Sequence, residues 1–404
     1  MSASKALVPK TASKPAKVKD PGVIGMVMAG EAAFNSKSGE LLLLPEGESK
    51  MRELSSRIAS RLFDDCGIQR VDCGNDAALF SLAERYVREW GDAATAFLET
   101  RGRSLRVIGW SRGLAESDAA ADAIKSALAT ILGDVGLRSV REAIPDGRIS
   151  SSLACLSEAG SIASRDAFAC LDCGEFFLPD SPLDFAISQP GEGEADLAVT
   201  EIPTPGADTI QKLCSQLSVD VSRTIKAMLY VAFDASSKPC PTAAFLRGDL
   251  GVSMNKLTAW LDRERGLSEP RSARTSELAE MFGPVAGYCG PVGMPDHVIT
   301  VGDRSITGSK NIVAGANRPG YHLTGCCHGR DFRPPEADIA MFSDGSPCRC
   351  GGRVKPVTLR ECGAIMSGRA PKILSFRDRD GLNEFPARYE AYIHLDRLLL
   401  SRYR

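Results

Sequence analysis

Two of the chain's cysteine pairs stand at spacings that can bring sulfurs onto one ion. Cys170-x-x-Cys173-Gly174 has zinc-knuckle spacing, and Cys348-x-Cys350-Gly351 is one residue short of it. Thiolates from both pairs converging on a tetrahedral ion would make a zinc site; reduced structural thiols are the other reading. Cys326-Cys327 beside His328 is a weaker metal-like cluster, because adjacent cysteines rarely point the same way. A different chemistry is offered by the loop Gly287-x-x-x-Pro291. Its glycines let the backbone turn sharply and approach a substrate, leaving N–H groups to face developing negative charge. Alone, the same string is an ordinary Gly-Pro turn.

Regular elements must position these groups. Met51, Leu54, Ile58 and Leu62 recur at helical spacing before Cys66-Gly67, and Ile124, Leu128, Ile131 and Leu132 form one stripe of a second helix over 121–136. Between Pro179 and Thr204 the chain turns rich in Pro, Gly, Glu and Asp, which marks a domain edge. Beyond it the pattern predicts a helix at Ile210 to Leu217, strands at 225–233 and 242–246, helices at 254–261 and 276–282, and a strand at 297–301. Mixed strands and helices predict an α/β or α+β unit. From about Pro334 the sequence reads as short strands ending in an Arg-rich amphipathic segment, Tyr389 to Arg404, and there is no internal repeat.

Composition narrows the classes. A chain of 404 residues at 43% hydrophobic and 25% charged is globular, with room for two or three domains. Its 49 basic and 51 acidic residues give a net charge of −2, which argues against a wholly basic duplex-wrapping surface and leaves a local RNA-facing patch open. Leu41 to Leu44 and Leu398 to Leu400 are too short to span a membrane, so no membrane partner is expected. Thirteen cysteines without an apolar leader predict a reducing compartment, the cytoplasm. Lys5, Lys10, Lys14, Lys17 and Lys19 precede the first acid, Asp20, and residues 1–22 are expected to be a disordered basic tail.

Several strings in the middle of the chain occur in one order: Thr204-Pro205-Gly206, Arg223-Thr224-Ile225-Lys226, Arg247-Gly248-Asp249, Gly287-Tyr288-Cys289-Gly290-Pro291-Val292-Gly293, Asp303-Arg304-Ser305, Gly315-Ala316-Asn317, Gly320-Tyr321-His322 and Gly329-Arg330-Asp331-Phe332. Over Ile202 to Ile339 this resembles the editing insertion of bacterial-type prolyl-tRNA synthetases, which hydrolyses alanine wrongly esterified to proline tRNA. The flanks resemble that family's class II catalytic core more distantly: Gly39 to Gly74 its first motif and long helix, Leu114 to Gly174 the stretch before the insertion, Arg360 to Arg404 the stretch after it. No ATP-gripping motif lies between Trp110 and Ser126; Arg397 stands where the family's third motif has its arginine, but Tyr392 and His394 occupy that motif's glycines. The resemblance implies an α+β fold: a degenerate class II synthetase-like antiparallel core at 23–200 and 341–404, an inserted mixed α/β editing domain at 201–340, and no anticodon-binding domain.

By the same resemblance Gly287, Gly290 and Pro291 form the catalytic loop and Lys256 holds a phosphate of the tRNA acceptor end from the pocket rim. Thr224, Asp303, Asn317 and His322 line the amino-acid pocket, His322 limiting its size. Each has a structural alternative: a solvated helix position for Lys256, a structural imidazole for His322, turn backbone for Asp303 and Thr224. Relatives with two full Cys-x-x-Cys pairs imply a structural zinc at Cys170, Cys173, Cys348 and Cys350; no other cofactor is expected. The expected function is a trans-acting deacylase of Ala-tRNA(Pro) or a similar small aminoacyl-tRNA, without amino-acid activation. The alternatives are a non-catalytic tRNA- or synthetase-binding paralogue, or an aminoacyl-tRNA-dependent transferase or ligase. Expected partners are the acceptor end, a prolyl-tRNA synthetase and a second copy of the chain.

Overall fold

The structure, a computed structural model, describes residues 18–35, 40–73, 75–90, 95–133, 136–143, 149–159, 161–183, 189–283, 287–377 and 381–403. Most of the basic tail, 1–17, lies outside them. The chain forms two compact units, one of residues 1–141, 150–167 and 356–404, the other of 142–149 and 168–355. Among the described residues no helix is long and apolar enough to cross a membrane.

The first unit is built on a largely antiparallel sheet. The hairpin Thr95–Arg101/Ser104–Ser111 pairs through Ser104–Ser111 with Leu382–His394, which pairs with Val354–Arg377, which pairs with Ile149–Ser157. Alternation sorts side chains to two faces. Leu105, Val107, Ala391 and Ile393 face Leu54, Ile58 and Leu62 of helix Pro45–Cys66, and Ile124 and Leu128 of helix Leu114–Ile131. Helix Pro45–Cys66 stops where expected: Gly67 adopts φ +66°, and the Gly67 and Ile68 N–H groups cap the carbonyls of Phe63 and Leu62. On the opposite face Phe97, Ile108, Trp110 and Phe385 pack with Leu79 and Phe80. Beside them is an ion-pair network around the buried Arg106, which donates from Nε to Glu390 Oε1 at 2.5 Å and from Nη1 to Oδ1 of the exposed Asp76 at 2.6 Å. Tyr392 Oη donates to the same Glu390 oxygen at 2.6 Å.

The expectation of short strands after Pro334 is corrected. Val354–Arg377 spans 24 residues and Leu382–His394 spans 13, with helix Leu395–Leu400 following. Gly363, Gly368 and Pro371 break the sequence pattern, while the sheet keeps the strand going through register shifts near 361–363 and 369–374.

The second unit has a five-stranded mixed sheet, in the order Ser268–Ser272, Ile225–Phe233, Pro239–Arg247, Ile299–Asp303, Glu336–Ala337, the last two pairings being parallel. Helix Met254–Arg265, capped by the Ser253 hydroxyl and ended by Gly266 at φ +62°, lays Leu257, Trp260 and Leu261 against Tyr230, Ala244, Val301 and Ile339. Phe245 and Ile225 belong to another cluster, with Ile312, Ala314 and Cys326 of a three-stranded antiparallel sheet. That sheet runs Thr200–Pro203, Tyr321–Cys326, Ile312–Gly315.

Candidate functional site

The 287–291 loop is seated on the three-stranded sheet by contacts that only glycine permits. A Cβ at Gly290 would lie 2.0 Å from the Gly315 carbonyl oxygen, and one at Gly315 would lie 2.3 Å from the carbonyl oxygens of Tyr288 and Cys289. Gly287 holds φ +81°. Asn317, itself at φ +51°, serves as a latch. Its Oδ1 accepts the Gly290 N–H at 3.0 Å, its Nδ2 donates to the carbonyls of Gly290 (3.0 Å) and Val292 (2.8 Å), and its own N–H donates to Tyr288 O at 2.9 Å. The carboxamide thus imitates a strand partner for a loop that has none. Asn317 positions the loop, and the Gly290 N–H already has an acceptor.

His322 lies in strand Tyr321–Cys326, 4% exposed, with its ring 5.4 Å from that of Tyr288. Its Nδ1 is 2.6 Å from the hydroxyl of the fully buried Thr204. Burial depresses its pKa to about 4, so the imidazole is neutral at physiological pH and presents a shaped, uncharged wall. Thr204 and Tyr288 stand inside the quoted strings but were not read as site residues. Thr204 had a signal in the Thr-Pro-Gly turn, whereas nothing marked its hydroxyl as the partner of a histidine 118 positions away. The loop, its latch and the His322–Thr204–Tyr288 group form one cluster.

Lys256, Asp303 and Thr224 have other partners. The Lys256 side chain is 3% exposed; its Nζ donates to Asp338 Oδ1 at 2.9 Å and to Ala340 O at 2.8 Å. The expected exposed rim lysine is therefore corrected to a buried ion pair, because the turn capped by Ser253 places position 256 beside Leu257 on the inner face, where the chain returns at 338–340. Fully buried Asp303 takes the Ser305 N–H on Oδ1 at 2.8 Å, and those of Ile339 (2.9 Å) and Ala340 (2.8 Å) on Oδ2. Thr224 Oγ1 donates to Val221 O at 2.8 Å and closes the turn Val221–Arg223. For both, the backbone-satisfying alternative is the observed arrangement, correcting their expected pocket roles. Lys256 and Asp303 fasten one strap of chain, 338–340.

The four cysteines expected to share a metal are brought together: their sulfurs all lie within 4.8 Å of one another, with Cys170 to Cys350 at 3.5 Å and Cys173 to Cys348 at 3.6 Å. A tetrahedron with Zn–S of about 2.3 Å has sulfur separations of about 3.8 Å, so this donor set fits zinc. Burial pushes the Cys170 thiol up, but hydrogen bonds from the backbone N–H groups of Cys173 and Asp172 and from the Cys350 and Cys173 thiols together bring it down to about 7. A Cβ at Gly352 would lie 2.1 Å from Asp172 Oδ2 and 3.0 Å from Cys170 Sγ, so the two cysteine turns approach closely there. Cys327 by contrast points to Asn311 Oδ1 and Gly325 O, and His328 meets the Phe332 ring, so the Cys326-Cys327-His328 string gathers no ligand set among the described residues.

Residues 204–330 match the family profile of the aminoacyl-tRNA editing domain. Proline–tRNA ligases of Aquifex aeolicus and Kosmotoga olearia are 31% and 32% identical over 196 and 198 residues, 47% and 48% of this chain but 33% and 32% of those enzymes. The Thermotoga neapolitana enzyme is 31% identical over 206 residues, covering 50% of this chain and 34% of its own. The chain therefore spans about a third of the length of these relatives. A solved structure provisionally described as a trans-editing enzyme for prolyl tRNA synthetase shares 16% identity, covers 35% of this chain and 86% of its own, and has a TM-score of 0.27.

Proposed function

We propose that the protein is a deacylase acting in trans on a small mischarged aminoacyl-tRNA, with Ala-tRNA(Pro) as the preferred substrate. The observation that carries this reading is the cluster in which Asn317 latches the Gly287–Pro291 loop beside the neutral His322 and Tyr288. An aminoacyl ester is already activated, so hydrolysis needs an oriented water and stabilisation of a tetrahedral oxyanion, with no covalent nucleophile. The latch fixes the loop while taking up the Gly290 N–H, so in this proposal the oxyanion faces other groups of the same fixed loop, and an uncharged buried histidine suits a small apolar amino-acid side chain.

Adjoining the cluster, the exposed Arg318 guanidinium lies 3.8 Å from the Tyr321 ring centroid and pairs with Glu201 at 2.7 Å; in this proposal it exchanges Glu201 for the acceptor end. Zinc would be held by Cys170, Cys173, Cys348 and Cys350, where its chemistry is structural: it ties two distant turns together. Amino-acid activation is excluded from the proposal. In the first unit Tyr392 and Glu390 are engaged with Arg106, and Arg397 Nη1 donates to the Glu361 carbonyl at 3.0 Å.

A second reading, binding without hydrolysis, is favoured by the engagement of Lys256 with Asp338 and of the Gly290 N–H with Asn317. A deacylation assay over a panel of aminoacyl-tRNAs separates the two. Loss of ester from Ala-tRNA(Pro) above the uncatalysed rate supports the first; protection of the ester on binding supports the second.

A further inference from the structure

Tyr288 is the largest side chain of the loop at 287–291, and the latch fixes where it stands. Its carbonyl oxygen accepts the Asn317 N–H at 2.9 Å, and only glycine at 315 leaves room for it, since a Cβ there would lie 2.3 Å from that oxygen. From this pinned backbone the ring meets that of His322, with centroids 5.4 Å apart and planes inclined at 55°. Two rings at that angle form a wedge and not a stack. The Nδ1 edge of His322 is closed by the fully buried Thr204, while 4% of His322 and 8% of Tyr288 stay accessible. Among the described residues neither the Tyr288 hydroxyl nor His322 Nε2 has a hydrogen-bond partner, and neither belongs to the buried polar atoms sealed from the surface. Both therefore open to accessible space, and a ligand entering there can touch both rings.

We propose that Tyr288 is a specificity residue, its ring and that of His322 together excluding amino-acid side chains longer than the methyl group of alanine. The proposal rests on the deacylase reading for the placement of the amino acid beside His322. It goes further by assigning the size limit to a pair of rings, where the family resemblance gives it to the histidine alone. The two walls come from separate segments, the loop and strand Tyr321–Cys326, and each is tied down, His322 by Thr204 and the Tyr288 backbone by Asn317. Close packing around a nearly buried ring keeps it from swinging aside. Fixed walls of this kind reject one excess methylene by about tenfold or more. The ring does this, and the hydroxyl is left to water.

The test titrates the full chain with two probes, adenosine carrying alanine or valine through a non-hydrolysable ribose amide, and reads both affinities by calorimetry. The wild-type protein should bind the alanyl probe at least about tenfold more tightly than the valyl one. Tyr288→Ala should bring the two within about threefold, and Tyr288→Leu, which keeps apolar bulk, should fall between. Tyr288→Phe, which restores the ring without the hydroxyl, should restore the discrimination. Each ratio is taken on one preparation, so a partly unfolded variant changes both affinities alike and leaves the ratio readable. Failure of the wild-type protein to bind either probe, equal binding of the two, a wild-type ratio in Tyr288→Ala, or a lost ratio in Tyr288→Phe overturns the proposal. Ester loss from Ala-tRNA(Pro) is measured beside it: a selective ratio without hydrolysis would end the deacylase reading and keep the two-ring wall, whereas hydrolysis with an unselective ratio would do the reverse.

Discussion

Asn317 and Gly290 exchange two hydrogen bonds through one carboxamide, Gly290 N–H to Oδ1 and Nδ2 to Gly290 O, both at 3.0 Å. Such reciprocity needs a donor and an acceptor on the same planar group, so Asn317→Asp keeps the size and breaks the pairing. A carboxylate would face the carbonyls of Gly290 and Val292 without a proton to give. Deacylation by Asn317→Asp should fall by about tenfold to a hundredfold, corresponding to roughly 1.5 to 3 kcal/mol of lost positioning. Single-turnover hydrolysis of Ala-tRNA(Pro), with circular dichroism to check the fold, measures this; an unchanged rate would show that the latch does not govern the loop.

Lys256→Ala should be a stability variant. Removing the ammonium leaves Asp338 and the Ala340 carbonyl without their partner, at a cost of about 3 kcal/mol. Urea denaturation should show the loss, and the pair Lys256→Met with Asp338→Asn should recover part of it. Wild-type stability combined with lost hydrolysis would return Lys256 to an RNA-facing role.

The His322 pKa, depressed by burial to about 4, makes stability depend on pH in a defined direction. Between pH 6.5 and 4 the unfolded chain binds this proton and the folded one does not, so stability is fully present above about 6.5 and declines as pH falls through 4. The shift corresponds to at most about 3 kcal/mol. Denaturation of the wild-type protein and His322→Gln at pH 7.5 and 4.5 should show a smaller acid loss in the variant; parallel losses would place the titration elsewhere.

Protein prepared without chelators should carry one zinc per chain, and Cys170→Ser or Cys348→Ser should bring it below about a tenth of an equivalent, because the four sulfurs act as one ligand set. Elemental analysis and the thermal midpoint should fall together. Zinc-free protein with an unchanged midpoint would identify the four as plain thiols.

Proline-dependent exchange of pyrophosphate into ATP should stay at background. Arg106, Glu390 and Tyr392 occupy one another in the first unit, and adenylate formation needs several kcal/mol of positioning that such a closed network does not offer a nucleotide. Exchange at saturating proline would contradict this.

Where side chains alternate or recur regularly, the sequence was legible: Ile225–Phe233 is a strand at the expected residues, and helix Pro45–Cys66 stops at the expected Gly67. Helix Leu114–Ile131 begins seven residues before the expected 121, since the stripe of Ile124 and Leu128 shows a helix's face and not its cap. The cysteine cluster could be read because its spacing is the chemistry. Lys256 could not, because a lysine at a helix's first turn is inner or outer only according to what passes it, and here that is a strap more than eighty positions away. Asp303 and Thr204 failed for the same reason: burial and long-range partners carry no local periodicity.

That strap has a further consequence. Entry strand Thr200–Pro203 is paired to Tyr321–Thr324, and the exit at 338–340 is held by Asp303, by Lys256 and by the Ser253 N–H on Ile339 O. The same strap also reaches the chain ahead of the entry strand: Asp338 accepts the Leu183 N–H on Oδ2 while Lys256 holds Oδ1, and Asp180 accepts from Ser253 and Asn255. Entry and exit are thus moored to one another through a single carboxylate, so loosening Asp338 would slacken both at once.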